Sequence, residues 1–327
     1  MSAGMSLVGH QEQVAAFMTA FGSGRPHHAW LLTGQKGLGK ALFAREAATW
    51  LLAGAPAGDS LAVPQSCEAA RLMAAGSHLD FRLIERTPNK AGKLRNEIVI
   101  GQIVRRPDSE GQPLREFLSG TPMLGGRRVV IIDAADDMNR STANALLKSL
   151  EEPSEDTVFL LISHAPGRLL PTIRSRCRTL RFSRLPDADV RRVLAAADLA
   201  GEDEALLVQL AEGCPGRAIA LGEAGITALE QDLSALPGLA IERANPAALA
   251  LARTMSLKGR EGRYAALLDR VPALIAARAK ALQGPAREAA LGEYDAASRL
   301  ARDAMPLQLD PAQVAHRLAL HLAAVPA

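Results

Sequence analysis

The chain has 327 residues, 48% of them hydrophobic and 22% charged, a balance expected of a globular chain of about two domains. No apolar run approaches the roughly 18 residues of a membrane span, and Cys67, Cys177 and Cys214 are too few and too widely spaced for a disulfide framework or a four-cysteine zinc site. The net charge of +3 is too small to identify a nucleic-acid partner, and the 3% of aromatic residues leaves a core of Leu, Ala, Val and Ile that favours helices. Met1–His10 lacks the charged-then-apolar layout of a secretion signal, so the expected setting is the cytoplasm, with reduced thiols.

In chain order, Ala29–Thr33 reads as a short buried strand, Gly34–Lys40 as a glycine turn, and the residues after Lys40 as a helix. Phe43, Ala47, Trp50 and Leu51 give that helix one apolar stripe, and Gly54 stops it. Gly54–Ser66, rich in Gly, Pro and Ala, predicts an irregular insertion, and Arg105–Pro113 predicts a further loop.

Val129–Ile132, Val158–Ile162 and Thr179–Phe182 then read as interior strands of a largely parallel sheet. Between the first two, Ala143, Leu146, Leu147 and Leu150 mark a helix that Pro153 ends. From Leu185 the strand pattern gives way to Leu/Ala-rich helices. Pro186–Asp189 reads as a helix start and Gly213–Gly216 as a break. The expected architecture is an α/β P-loop domain over 1–184, a small helical module over 185–225 and an all-α block over 226–327.

The chemistry lies in Gly34-Gln35-Lys36-Gly37-Leu38-Gly39-Lys40-Ala41. A phosphate-binding loop uses glycines so that backbone N–H groups converge on phosphate oxygens, a lysine for the β/γ-phosphates, and a Ser/Thr hydroxyl on Mg²⁺. Gly34, Gly37, Gly39 and Lys40 supply the first two parts, but Ala41 stands where the hydroxyl belongs. Asp133, at the end of its strand, suits the metal-holding aspartate. The carboxylate that would orient or deprotonate water is replaced by Ala134. Asp136 and Asp137 lie two or three residues further on, where their side chains are expected to point elsewhere. ATP binding therefore stays open, while hydrolysis by this site alone is expected to be very slow.

Five stretches together resemble the clamp-loader branch of the AAA+ ATPases, as found in bacterial DNA polymerase III. They are His27–Leu32, Gly34–Lys40, Arg128–Ala135, Ala143–Pro153 and Leu170–Arg178. The resemblance is strong over 5–183, moderate to 225, and thereafter rests on helical composition. It implies a RecA-like AAA+ sheet domain, a helical lid and a C-terminal collar that joins subunits into a ring. Within Ser175-Arg176-Cys177 it implies that Arg176 is an arginine finger reaching a neighbour's ATP. It further implies that Ser163 matches a γ-phosphate sensor and that Leu7-Val8-Gly9 packs on adenine.

Departures from the family pattern matter equally. Gly216 stands where active motor subunits carry an arginine for their own γ-phosphate, and Arg217 is shifted by one, about 100° around a helix. Of a family zinc module only Cys67 remains, so no zinc is expected and Gly54–Ser66 would be its remnant.

The implied role is a catalytically silent subunit, part of the DNA polymerase III holoenzyme without nucleotidyl-transfer chemistry of its own. Its implied partners are motor subunits and a delta-like subunit in a hetero-oligomeric ring, with the sliding clamp and primed DNA met through the assembly. Two alternatives are an active motor ATPase of the same family and a DNA-binding P-loop protein outside replication, with Arg174, Arg176, Arg178 and Arg181 as its contact patch. A solvated face is the plainer account of those arginines.

Overall fold

A computed structural model describes residues 6–22, 26–107, 109, 111–124, 126–201, 203–255, 257 and 261–326. Residues 1–5 of the N-terminal reading, and Asp108 and Glu110 of the predicted loop, lie outside them. The chain divides into two compact units, one of residues 1–196 and 212–216, the other of 197–211 and 217–327. The segment read as one helical module, 185–225, is thus shared between them.

The first unit is built on five parallel strands, β1 (Ala29–Thr33), β2 (Phe81–Glu85), β3 (Arg128–Asp133), β4 (Thr157–Ser163) and β5 (Arg178–Arg181). Their spatial order is β2-β3-β4-β1-β5. Its helices are α1 (Gln11–Gly22), α2 (Lys40–Leu52), α3 (Glu68–Ala74), α4 (Leu114–Phe117), α5 (Arg140–Glu151), α6 (Pro171–Arg174) and α7 (Asp187–Ala196). Central strands buried on both faces read as continuous apolar runs, which is why β1, β3 and β4 are visible in the sequence.

Strand alternation sends neighbouring side chains to opposite faces. Trp30 and Leu32 pack with Phe17, Phe43 and Trp50 under α1 and α2, whereas Leu31 packs with Val130, Leu146 and Ile173 under α5 and α6. Phe17 anchors the first layer, its ring centroid 4.9 Å from that of Trp30 and 5.6 Å from that of Phe43.

Two expectations need correction. Thr179–Phe182 is not interior: β5 pairs with β1 alone, and of its four residues only Leu180 is buried. The opposite edge, β2, interrupts Phe81, Leu83 and Ile84 with Arg82 and ends in Glu85, with only Ile84 buried, so its apolar signal was too weak to announce a strand.

Gly54–Ser66 contains no regular element beyond the end of α2, and neither do the described residues of 105–113. Gly54, at φ +85°, donates its N–H to Leu51 and closes α2 as the sequence predicts.

The second unit is all helical, with α8 (Glu204–Ala211), the body of α9 (Pro215–Glu223), α10 (Ile226–Ser234), α11 (Ile241–Met255), α12 (Glu261–Ala281), α13 (Gly284–Ala304) and α14 (Pro311–Ala323). α11 packs on α14 and α12 on α13. Small buried residues such as Ala244, Ala248, Ala315 and Ala319 sit along the first of those pairs. Asp310 caps α14 by accepting from the Gln313 N–H at 2.8 Å. No helix among the described residues is long and apolar enough to cross a membrane.

Candidate functional site

The register of the sheet decides what meets at its C-terminal edge. Thr33 lies beside Ser163 and Glu85 beside Asp133, so the turn after β1 and the ends of β3 and β4 form one crevice, the usual ligand position in open parallel sheets. Gly34, Gly37 and Gly39 all have positive φ, +146°, +88° and +87°, which a glycine adopts at little cost and other residues do not. At Gly34 the requirement is also steric, because a Cβ would lie 2.5 Å from the Phe182 carbonyl oxygen.

Lys40 opens α2 and is buried. Its Nζ donates to the carbonyls of Gly34 and Gln35, both at 2.6 Å. Burial brings its pKa down to about 8, opposed by the negative charge of Asp133 and Asp136. Burial conversely raises the Asp133 carboxyl, with His164, Arg45 and Lys40 pulling it back.

Ser163 is fully buried and donates its hydroxyl to Asp136 Oδ1 at 2.8 Å. Asp136 also accepts the backbone N–H groups of His164 and Ala165. Here the expectation for Asp136 fails: the 3₁₀ turn Ala135–Asp137 folds the chain back and returns its carboxylate to the end of β4. Asp137 does point elsewhere, to Arg86 Nε at 3.1 Å. Asp136 does not stand in for a catalytic base, since its oxygens are engaged with three donors on the β4 side.

The N-terminal segment also reaches the loop. Leu7 N–H donates to Glu46 Oε1 at 2.8 Å, and His10 Nε2 lies 2.8 Å from the Leu38 carbonyl. Gly216 N–H donates to the Gly37 carbonyl at 2.8 Å, and a Cβ at Gly216 would lie 2.9 Å from Gly37 Cα. Glycine at 216 therefore permits a backbone approach that a side chain would block. Arg217 makes an ion pair with Asp269 instead of serving the loop.

Arg176 lies just beyond α6, away from these groups. Its Nη1 donates to the Thr172 carbonyl at 2.9 Å and its Nη2 pairs with Glu151 Oε1 at 2.8 Å, and the side chain remains 35% exposed. The sequence-predicted residues thus fall into two places. Gly34, Gly37, Gly39, Lys40, Asp133 and Ser163 converge at the loop, with Ala41 and Ala134 beside them, and Arg176 stands at a separate corner.

Sequence reasoning missed His10 and Asp80. Asp80 is 2% exposed and accepts from Met123 N and Leu124 N at 2.7 and 2.8 Å. An Asp two residues after a His in a polar stretch gave no periodic signal. The three cysteines are free, and Cys67 is the residue before α3.

A parallel sheet whose first strand runs through a glycine turn into a helix headed by a buried lysine is an α/β P-loop fold. A family model described as "DNA polymerase III, delta subunit" matches residues 9–186, more than half of the chain, and the chain belongs to that family. DNA polymerase III subunit delta' of Pseudomonas aeruginosa is 44% identical over 165 residues, which are 50% of this chain and 46% of that protein. Its Escherichia coli counterpart is 32% identical over 206 residues, 62% of this chain and 57% of that one. The match spans about half the length of these curated relatives. A DNA polymerase III gamma subunit-related protein from Thermotoga maritima has a TM-score of 0.49 at 19% identity, over 96% of this chain and 98% of that one.

Proposed function

We propose that this chain is a delta'-type subunit of a bacterial clamp loader, helping to place a sliding clamp on primed DNA during replication. It works in the cytoplasm, in a hetero-oligomeric ring with motor subunits and a delta-like subunit. The sheet unit is the AAA+ domain, the helices after 185 supply a lid, and the C-terminal helices form the collar. The name shared by the relatives at 32–44% identity supports this reading.

The observation that carries it is the division of the site. The loop keeps what a phosphate needs, the glycines and Lys40, and lacks what a metal and an attacking water need, at Ala41 and Ala134. Backbone N–H groups of residues 37–40 and the Lys40 amine would hold the phosphates of ATP, and bound ATP would add only charge and shape there. The residues do not fit Mg²⁺, so no hydrolytic step is assigned to this chain.

Arg176, by contrast, is half-exposed, and its guanidinium retains donors beyond its contacts with Thr172, Ser175 and Glu151. Presented to a neighbour's ATP, it would stabilise charge on the transferring phosphoryl oxygens. The test is paired substitution in the reconstituted assembly. Arg176→Ala should lower DNA-stimulated ATP turnover with assembly intact, and Lys40→Ala should leave turnover nearly unchanged. The reverse result would favour an active motor ATPase, the second reading, which Ala41, Ala134 and Gly216 weigh against.

A further inference from the structure

A cavity of about 660 Å³ opens on the β5 side of the loop, wholly within the sheet unit. It shares Gly34, Gln35 and Leu38 with the phosphate loop, whereas Gly37, Gly39, Lys40 and Asp133 are not among its walls. Its floor is apolar, with Leu31, Leu38 and Phe182 all buried. Arg174, Arg181, Arg184 and His164 line it, and none of its lining residues is acidic.

The three arginines are not equivalent. Arg184 is already satisfied, 3.2 Å from Glu212 and 3.3 Å from the Gln35 side chain. The guanidinium groups of Arg174 and Arg181 have no ion-pair or hydrogen-bond partner among the described residues. His164 carries a buried Nδ1 that no donor or acceptor meets among the described residues. Its pKa is lowered first by burial and then by the positive charge of Lys40, against which Asp136 and Asp133 raise it, with Lys36 lowering it again. The unpaired positive charge at the cavity is thus that of Arg174 and Arg181.

We propose that this cavity is an anion site, beside the glycine loop and not including Lys40, which takes a small phosphate-bearing group on the Arg174 and Arg181 guanidinium forks without a divalent metal. A guanidinium offers paired N–H donors that match two phosphate oxygens, and an apolar floor strengthens the attraction by excluding water. The volume suits a small ligand. Both guanidinium groups line one cavity of small-ligand size, which favours a compact anion over a nucleic-acid backbone.

The inference does not rest on the arginine-finger reading, and its test separates it from the loop. Pyrophosphate is titrated into the full chain by calorimetry at low salt with EDTA present. In a Lys40→Ala background, which weakens the glycine loop's own hold on phosphate, adding Arg174→Gln and Arg181→Gln should weaken the remaining binding at least about tenfold. Both arginines are exposed, so adding the two substitutions should leave the unfolding temperature unchanged.

Competition by metal-free ATP but not by adenosine would identify a nucleotide's phosphate tail as the occupant. Binding of pyrophosphate without ATP competition would identify a free diphosphate, and either result supports the site. A Lys40→Ala chain that binds no pyrophosphate, or whose binding survives the two added arginine substitutions, would overturn it. A single-stranded oligonucleotide that binds more tightly than pyrophosphate through the same two arginines would overturn the small-anion assignment.

Discussion

The loop after β1 and the corner beyond α6 carry the same kind of group, a cation suited to phosphate, in opposite circumstances. Lys40 is buried, folded onto two carbonyls of its own loop, and depressed to a pKa of about 8. Arg176 is half-exposed and held by the Glu151 carboxylate, the Thr172 carbonyl and the Ser175 hydroxyl. A buried lysine yields its charge readily, whereas arginine stays protonated in any setting and keeps a rigid fork. The two places share no side chain, so a change at one leaves the other's contacts in place.

The largest effect should come at the corner. If Arg176 acts as a finger, Arg176→Lys keeps the charge but loses the fork, and turnover at the neighbouring ATP should fall on the order of 10³. Single-turnover measurements on the assembled complex would read this, and a lysine variant as active as wild type would reduce Arg176 to a surface charge.

Next come changes within the loop. Gly34→Ala should destabilise the chain by about 3 kcal/mol, because φ +146° and a backbone oxygen 2.5 Å from the new Cβ leave no relief. Gly39→Ala meets its nearest atom at 3.5 Å and should cost about 1 kcal/mol, as the left-handed φ alone demands. Denaturant unfolding of the pair would show whether steric fit or phosphate binding keeps glycine at 34.

Asp136→Ala removes the acceptor for the Ser163 hydroxyl and two N–H groups, with an expected loss of about 2 kcal/mol. Its stability measured beside Asp137→Ala, which gives up only an ion pair with Arg86, would separate the two aspartates.

The smallest effect is a proton. With its pKa near 8, Lys40 is about half charged at pH 8, so an anion in the loop should draw in up to about half a proton there. At pH 7 the amine is already charged and uptake should shrink. Calorimetry in buffers of different ionisation heat measures this, and a flat result from pH 7 to 9 would mean that the anion sits away from Lys40. In the free chain the same depression weighs against folding below pH 8 and is relieved as pH rises toward 10.5.

The sequence by itself determined the central strands, the glycine loop and the helix after it. These signals are local: a fully buried strand must be apolar throughout, and a turn that needs positive φ must use glycine. It also determined what the loop lacks, since no packing restores a hydroxyl to Ala41 or a carboxylate to Ala134.

Only the tertiary structure decided which strands lie at the edges, because exposure of β2 and β5 depends on having one neighbour rather than two. It also turned Asp136 back to Ser163 through the 3₁₀ turn, brought Gly216 against Gly37 across nearly 180 residues of chain, and gathered Arg174, Arg181 and His164 around one cavity. Those pairings join segments far apart in sequence, and their energies are set by backbone closeness and burial, which no local pattern of residues encodes.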